Sequence, residues 1–145
     1  MNKRIRLGGA VAALLLCGQA LAGGEALFNQ HCSSCYGVGA GGIAGIAPPL
    51  RNPALWQRLG DRAPAYLSGV WASGMSGTLE IDGQTYRGLV MPPQTQIPAA
   101  ELEQIAGYLL HEVNGAAPTV GQAQIEAARQ NPPGHPQLRA LRKGS

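Results

Sequence analysis

Two cysteines in the segment Cys32-Ser33-Ser34-Cys35 constrain this chain more than any other feature of its sequence. The chain has three cysteines in all, and the third, Cys17, lies in an N-terminal segment that resembles a secretory leader. In an exported protein, two thiols at this spacing serve as a redox pair, as half of a metal site or as the anchor of a covalent cofactor. The remainder of the sequence therefore has to distinguish these three uses.

The first 22 residues are predicted to be a signal peptide that is cleaved after Ala22. The segment begins with three basic residues, continues with an apolar run at 11–16 and ends with small residues at 20 and 22. That run is well short of the ~20 apolar residues that span a bilayer, so no membrane span is expected once the leader is removed. Lipid attachment at Cys17 is disfavoured because Leu16 is bulky where such sites need a small residue. We therefore expect an exported, periplasmic protein.

The charge of the chain changes when the leader is removed. The full sequence has 11 basic and 8 acidic residues, and loss of Lys3, Arg4 and Arg6 leaves eight of each. Residues 23–115 are mildly acidic, whereas residues 116–145 carry four basic side chains and one acidic one. A mature chain with no net charge gives no support for nucleic-acid binding.

The surroundings of the cysteine pair weigh against two of its possible uses. A zinc site would need two further ligands at short range, and none follows. A thioredoxin-like redox pair would lie in a βαβ unit, and the sequence shows no such alternation. Covalent haem attachment uses the same spacing but normally has histidine directly after the second cysteine, where this chain has Tyr36.

The hydrophobic pattern predicts a mainly α fold with one short hairpin. Helices are expected at about 24–34, 53–59, 64–73 and 99–113, with Asp61 as a possible cap of the third. Asp82-Gly83 between two short alternating segments predicts a β-hairpin near residues 78–87 with a type I′ turn. Residues 116–145 lack a sustained apolar stripe and contain four prolines, so they are expected to form a weakly ordered tail with at most one short helix at about 122–129.

Four landmarks occur in an order that resembles the class I c-type cytochromes. They are the helix leading into Cys32-Ser33-Ser34-Cys35, the corner Pro48-Pro49-Leu50, the segment Leu89-Val90-Met91-Pro92-Pro93 and a final helix that carries Tyr108. The resemblance covers roughly residues 24–114. It implies a small helical domain, here residues 23–115, wrapped round one haem c with its iron. It further implies that Phe28 and Tyr108 meet where the first and last helices cross.

The resemblance also implies roles for individual residues. Cys32 and Cys35 would bind the haem covalently, and Met91 would be an axial iron ligand, with Met75 as a weaker candidate. Pro48 would orient the ligand on the opposite face through its carbonyl group. The aromatic residues Trp56, Tyr66, Trp71 and Tyr86 are candidates for the haem surroundings, although aromatic residues in small domains are more often ordinary core.

Tyr36 departs from the family pattern, because it stands where the iron-binding histidine belongs. Phenol must lose a proton with a pKa near ~10 to bind iron well, and phenolate favours ferric iron. His31, His111 and His135 are each expected to be surface residues rather than substitutes, although His31 is near enough to test. Three possibilities stay open: haem with Tyr36 or an open position at the iron, a haem-free domain with a Cys32–Cys35 disulfide, or a recent change from histidine in a working cytochrome.

The expected function is transfer of single electrons between redox proteins such as a dehydrogenase and a terminal oxidase. No catalytic Ser/His/Asp set, phosphate loop or carboxylate pair suggests a hydrolase, so an electron carrier rather than an enzyme is expected. Two alternatives follow from Tyr36: a haem protein with a tyrosine-bound or open iron that binds small ligands or reduces peroxide, and a haem-free binding module.

Overall fold

The computed structural model describes residues 23–144, so the predicted signal peptide and Cys17 lie outside the described residues. The fold is mainly α, as predicted. Its helices are α1 (Gly24–His31), α2 (Ser33–Tyr36), α3 (Pro53–Leu59), α4 (Ala63–Ser73), α5 (Ala99–Gly107), α6 (Gln122–Gln130) and α7 (His135–Lys143). Helix α5 continues through a π-helical turn, Tyr108–Val113, and single 3₁₀ turns occur at Val38–Ala40 and Gly60–Arg62.

The first and last helices of the predicted domain cross, as expected. The rings of Phe28 on α1 and Tyr108 at the end of α5 lie 5.4 Å apart at their centroids. Gly24 makes the close approach possible, because a Cβ atom at this position would lie 2.2 Å from the Gln104 carbonyl oxygen. At the other end of α1, His31 Nε2 lies 2.7 Å from a carboxylate oxygen of Glu101. The crossing fixes where the chain leaves α1, and therefore where the cysteine pair begins.

Helices α3 and α4 follow the cysteine pair in the chain and pack against each other. Helix α3 begins at Pro53, and the side chain of Asn52 accepts a hydrogen bond from the Leu55 amide at 3.0 Å, which is a regular N-cap. Helix α4 is buried on nearly all sides from Ala63 to Ala72. Asp61 does not cap it, because Asp61 lies within the preceding 3₁₀ turn and makes no capping hydrogen bond.

Two separate two-stranded sheets lie between α4 and α5. Strands β2 (Leu79–Ile81) and β3 (Gln84–Tyr86) form the predicted hairpin, and φ is +50° at Asp82 and +77° at Gly83, as a type I′ turn requires. Strands β1 (Met75–Ser76) and β4 (Val90–Met91) pair antiparallel, with Met75 opposite Met91. This second pair was not predicted, because two-residue strands leave no periodic pattern in the sequence.

The C-terminal segment differs from the weakly ordered tail that was expected. The predicted helix at 122–129 is present as α6, and α7 follows as a second, unpredicted helix. Both helices pack against α4, and each contributes one fully buried side chain, Ile125 and Leu138. At Gly69 of α4, an added Cβ would lie 2.7 Å from Leu138, so the contact is close. The segment orders because α4 is apolar on two sides, and the helix pair covers one of them.

Within residues 23–144, no helix is both long and apolar enough to cross a membrane.

Candidate functional site

A cleft opens between the cysteine pair and the strand pair β1–β4. Its wall contains the two cysteines expected to anchor the haem, Cys32 and Cys35, and the two residues at the expected positions of the iron ligands, Tyr36 and Met91. The cleft is open to solvent and encloses about 740 Å³ of empty space, its mouth included. The fold therefore brings together residues that are 59 positions apart in the sequence, from 32 to 91.

The junction of α1 and α2 positions the two cysteines. Cys32 ends α1, and its amide donates to the Phe28 carbonyl at 2.7 Å, while Cys35 lies in the single turn of α2. Both thiols are free; Cys32 is half-buried and Cys35 is exposed. Burial, with a smaller contribution from Cys35, raises the pKa of Cys32 from 9.0 to about 11. Cys32 is therefore a neutral thiol at neutral pH, and it faces the cleft.

Tyr36 and Met91 meet inside the cleft. The Tyr36 hydroxyl donates a hydrogen bond to Met91 Sδ at 3.1 Å. Tyr36 is buried, and that burial, followed by the nearby Tyr66, raises its pKa well above the ordinary value of 10.0. The side chain at the position of the usual histidine is thus a neutral phenol and a hydrogen-bond donor.

A smaller apolar cavity lies behind the contact between Tyr36 and Met91. It shares Cys32, Tyr36 and Met91 with the outer cleft. Three of the four aromatic residues considered from sequence, Trp56, Tyr66 and Trp71, line this inner cavity. The fourth, Tyr86, lies on the hairpin and donates to the Gln84 side chain at 3.0 Å. The Tyr36–Met91 hydrogen bond therefore lies between an outer and an inner part of one apolar crevice.

The remaining sequence candidates occupy several places. Pro48 and Met75 line both parts of the crevice. His31 lies at the crevice wall, where its ring binds Glu101, and His111 is exposed with its ring at the Pro118 carbonyl. His135 is half-buried rather than on the surface, because its ring lies between Ser73 and Ser76.

Sequence reasoning missed the contribution of α7 to the surroundings of the crevice. Arg142 Nη1 donates to the Tyr66 hydroxyl at 2.9 Å, so a C-terminal residue reaches an aromatic side chain of the inner cavity. His135 and Arg139 bind the strand β1. No local pattern in the sequence predicts these contacts, because each joins residues that are about 60 or more positions apart.

The described residues hold no group of three or more histidine, cysteine or acidic side chains that could bind a free metal ion. A helical domain with a CxxC pair at the mouth of an apolar crevice and a methionine across from it defines a cofactor-binding protein of the cytochrome type. A family model described as cytochrome c matches residues 21–112. The chain therefore belongs to the cytochrome c family, as a class I monohaem domain. No curated protein matches the chain.

Membership of this family implies a covalently bound haem c with its iron, and haem-based electron transfer. The crevice fits the group in three respects: two thiols at the mouth, an apolar lining and the thioether of Met91 at its centre. Tyr36 does not match the imidazole that the family uses, because a phenol with a raised pKa is a poor source of phenolate.

Proposed function

We propose that this protein is a periplasmic cytochrome that passes single electrons between redox proteins. In this proposal Cys32 and Cys35 anchor the haem, and Met91 is an axial ligand of its iron. The observation that carries the proposal is the convergence of Cys32, Cys35, Tyr36 and Met91 on one apolar crevice. The haem supplies a one-electron iron couple when bound.

The surrounding residues contribute to electron transfer by excluding water. The inner cavity is lined almost entirely by apolar and aromatic side chains, among them Phe28, Trp56 and Trp71. Such a lining limits the reorganisation of solvent that accompanies a change of charge, and it tunes the reduction potential. A dry, apolar lining of this kind supports a carrier rather than an enzyme, because transfer of single electrons needs no acid, base or nucleophile beside the haem.

The mouth of the crevice supports transient contact with a partner. Ile46 and Val90 line it and are 50% and 70% exposed. Exposed apolar side chains beside a cofactor crevice favour a small, short-lived interface of the kind that redox proteins form. A dehydrogenase as donor and a terminal oxidase as acceptor would be suitable partners in the periplasm.

Tyr36 is proposed to be a neutral phenol in the crevice rather than an iron ligand. Ligation would require the phenolate, and burial of the side chain opposes its formation. The hydrogen bond from Tyr36 to Met91 favours a second candidate function. A domain that carries no haem would keep its crevice closed by the Tyr36–Met91 contact and would act as a binding module.

The deciding experiment compares the wild type with Tyr36→His and Tyr36→Phe after export in a host that matures cytochromes c. Haem staining and pyridine haemochrome spectra measure covalent haem, and a Cys32→Ala/Cys35→Ala variant is the negative control. We expect covalent haem in the wild type and in both Tyr36 variants. If only Tyr36→His carries haem, the binding-module function replaces the electron-carrier proposal.

The two Tyr36 variants also test the role of the phenol. Phenylalanine keeps the ring and removes the hydroxyl, so a tyrosine that does not bind iron predicts nearly the same visible spectrum for Tyr36→Phe and the wild type. Histidine adds a neutral ligand that suits both iron oxidation states and should change the spectrum and the potential. A large spectral difference between the wild type and Tyr36→Phe would show that Tyr36 binds the iron.

A further inference from the structure

Helix α7 contacts the strand pair that carries Met91. His135 Nδ1 lies 2.6 Å from Ser76 Oγ, and Arg139 Nη1 donates to the Ser76 carbonyl at 2.8 Å. His135 Nε2 lies 2.9 Å from the Ser73 carbonyl at the end of α4. Ser76 is one of the two residues of β1, so this strand is held by α7 through both its side chain and its main chain.

The hydrogen-bond partners determine the tautomer of His135. A carbonyl oxygen only accepts, so Nε2 must carry the proton that it donates to Ser73. In the neutral tautomer with this proton, Nδ1 accepts from the Ser76 hydroxyl. The ring thus joins the end of α4 to β1 with both nitrogen atoms used.

Strand β1 in turn determines the position of Met91. Ser76 is opposite Val90 and Met75 is opposite Met91, so β4 lies against the strand that α7 holds. A pair of two-residue strands has few hydrogen bonds of its own and depends on neighbouring contacts. The Met91 carbonyl oxygen also lies close to Gly74, since a Cβ atom added at Gly74 would be 2.2 Å from that oxygen. A shift of Ser76 is therefore transmitted to Met91.

The α7 residues that make these contacts, His135 and Arg139, lie beyond the part of the chain that matches the family. The match ends at residue 112, whereas α7 spans His135–Lys143. The contacts are consequently an addition to the common domain, and they act on the loop that carries its methionine.

We propose that α7, through His135 and Arg139, positions the thioether of Met91 in the crevice and thereby controls its bond to the haem iron. His135 and Arg139 are positioning residues, since neither lines the crevice itself. The part concerning iron rests on the proposed function. The part concerning the position of Met91 does not require haem.

The first test is amide hydrogen exchange of the mature protein, measured for residues 75–76 and 90–91 and, as a reference, for α1. His135→Ala removes two hydrogen bonds and is expected to accelerate exchange at both strands on the order of tenfold, with α1 unchanged. His135→Gln keeps a donor for the Ser73 carbonyl and is expected to be intermediate. His111→Ala removes an exposed histidine that binds only the Pro118 carbonyl, and it should leave the strands unchanged.

Two outcomes would overturn positioning by α7. Exchange at β1 and β4 could remain at the wild-type rate in His135→Ala, or it could accelerate equally in α1 and in the strands. The second outcome would mean that His135 only stabilises the whole fold.

The second test is the reduction potential of the haem-bearing protein. A loosened Met91 is expected to lower the potential in His135→Ala, because thioether ligation raises it. Faster exchange with an unchanged potential would overturn the control of the iron bond. Absence of haem from the wild-type protein would overturn the proposed function instead, and the exchange experiment would still decide the role of α7.

Discussion

The Tyr36 hydroxyl and Met91 Sδ are 3.1 Å apart, and burial of Tyr36 favours its protonated form. Tyr36 is held as a neutral phenol, and the half-buried Cys32 is held as a neutral thiol with a pKa of about 11. Removal of the charged form from water is the main cause in each case. Cys32 and Tyr36 are therefore neutral hydrogen-bond donors rather than anions.

These shifts predict how stability depends on pH in protein that is produced without haem. Cys32 and Tyr36 ionise near 9.0 and 10.0 when unfolded, and both have raised pKa values in the fold. The unfolded state therefore loses protons first, so the free energy of unfolding is unaffected by these groups below about pH 8 and falls as the pH rises above 9. Urea unfolding between pH 7 and 11 measures this fall.

Two variants identify the groups responsible. Cys32→Ala should reduce the loss of stability between pH 9 and 11, and Tyr36→Phe should reduce the loss above pH 10. An unchanged pH profile in both variants would show that other groups control the alkaline loss.

At the scale of elements, the end of α4 and the strands β1 and β4 form one unit. The Gly74 amide donates to the Val70 carbonyl at 2.7 Å and ends α4, and the Gln94 amide donates to the Trp71 carbonyl at 2.7 Å just after β4. Gly74 has φ +72° and ψ −169°, a conformation that is essentially restricted to glycine. This backbone conformation of Gly74 therefore lets the chain turn from α4 into β1 next to the main chain of Met91.

A substitution at Gly74 tests how tightly this unit is packed. Gly74→Ala should lower the free energy of unfolding by about 3 kcal/mol or more, because it adds a main-chain collision to the backbone strain. Gly83→Ala in the hairpin turn is a matched control: φ is +77° there, but no atom lies within 4 Å of the added Cβ. That variant should lose only about 1 kcal/mol. Equal losses in chemical denaturation would contradict the close contact between Gly74 and Met91.

At the scale of the whole molecule, α4 is the central element, with the crevice on one side and α6 and α7 on the other. Leu67 and Val70 line the inner cavity, whereas Gly69 faces Leu138 of α7. Helix α6 is tied to α5 as well, since Gln122 donates to a Glu103 carboxylate oxygen at 2.7 Å. The C-terminal segment is thus part of the folded unit, and we propose that the structural domain extends beyond residue 115.

Truncation of a buried side chain in α7 tests this extent. Leu138→Ala should lower the free energy of unfolding by about 2–5 kcal/mol, as expected for a fully buried leucine. Gln137→Ala, at an exposed position of the same helix, should change it by less than about 0.5 kcal/mol. Thermal or urea unfolding measures both variants, and a small effect of Leu138→Ala would show that α7 contributes little to the core.

The sequence by itself determined the parts that depend on local chemistry. Proline at 53 and glycine at 83 predict a helix start and a turn because their backbone preferences are local, and both are present. The order of the cysteine pair and Met91 along the chain predicted the family, and the crossing of Phe28 and Tyr108 followed from it. The helix start and the turn need no knowledge of distant contacts, and the crossing was expected from the family resemblance alone.

Only the tertiary structure decided how the distant parts meet. The pairing of β1 with β4, the hydrogen bond from Tyr36 to Met91 and the docking of α7 on Ser76 each join residues that are far apart in the sequence. Helix α7 is polar on average, its apolar face consists of Leu138 and Leu141 among basic residues, and it orders against α4. Long-range packing therefore converted a segment with weak local preference into a support of the Met91 strand.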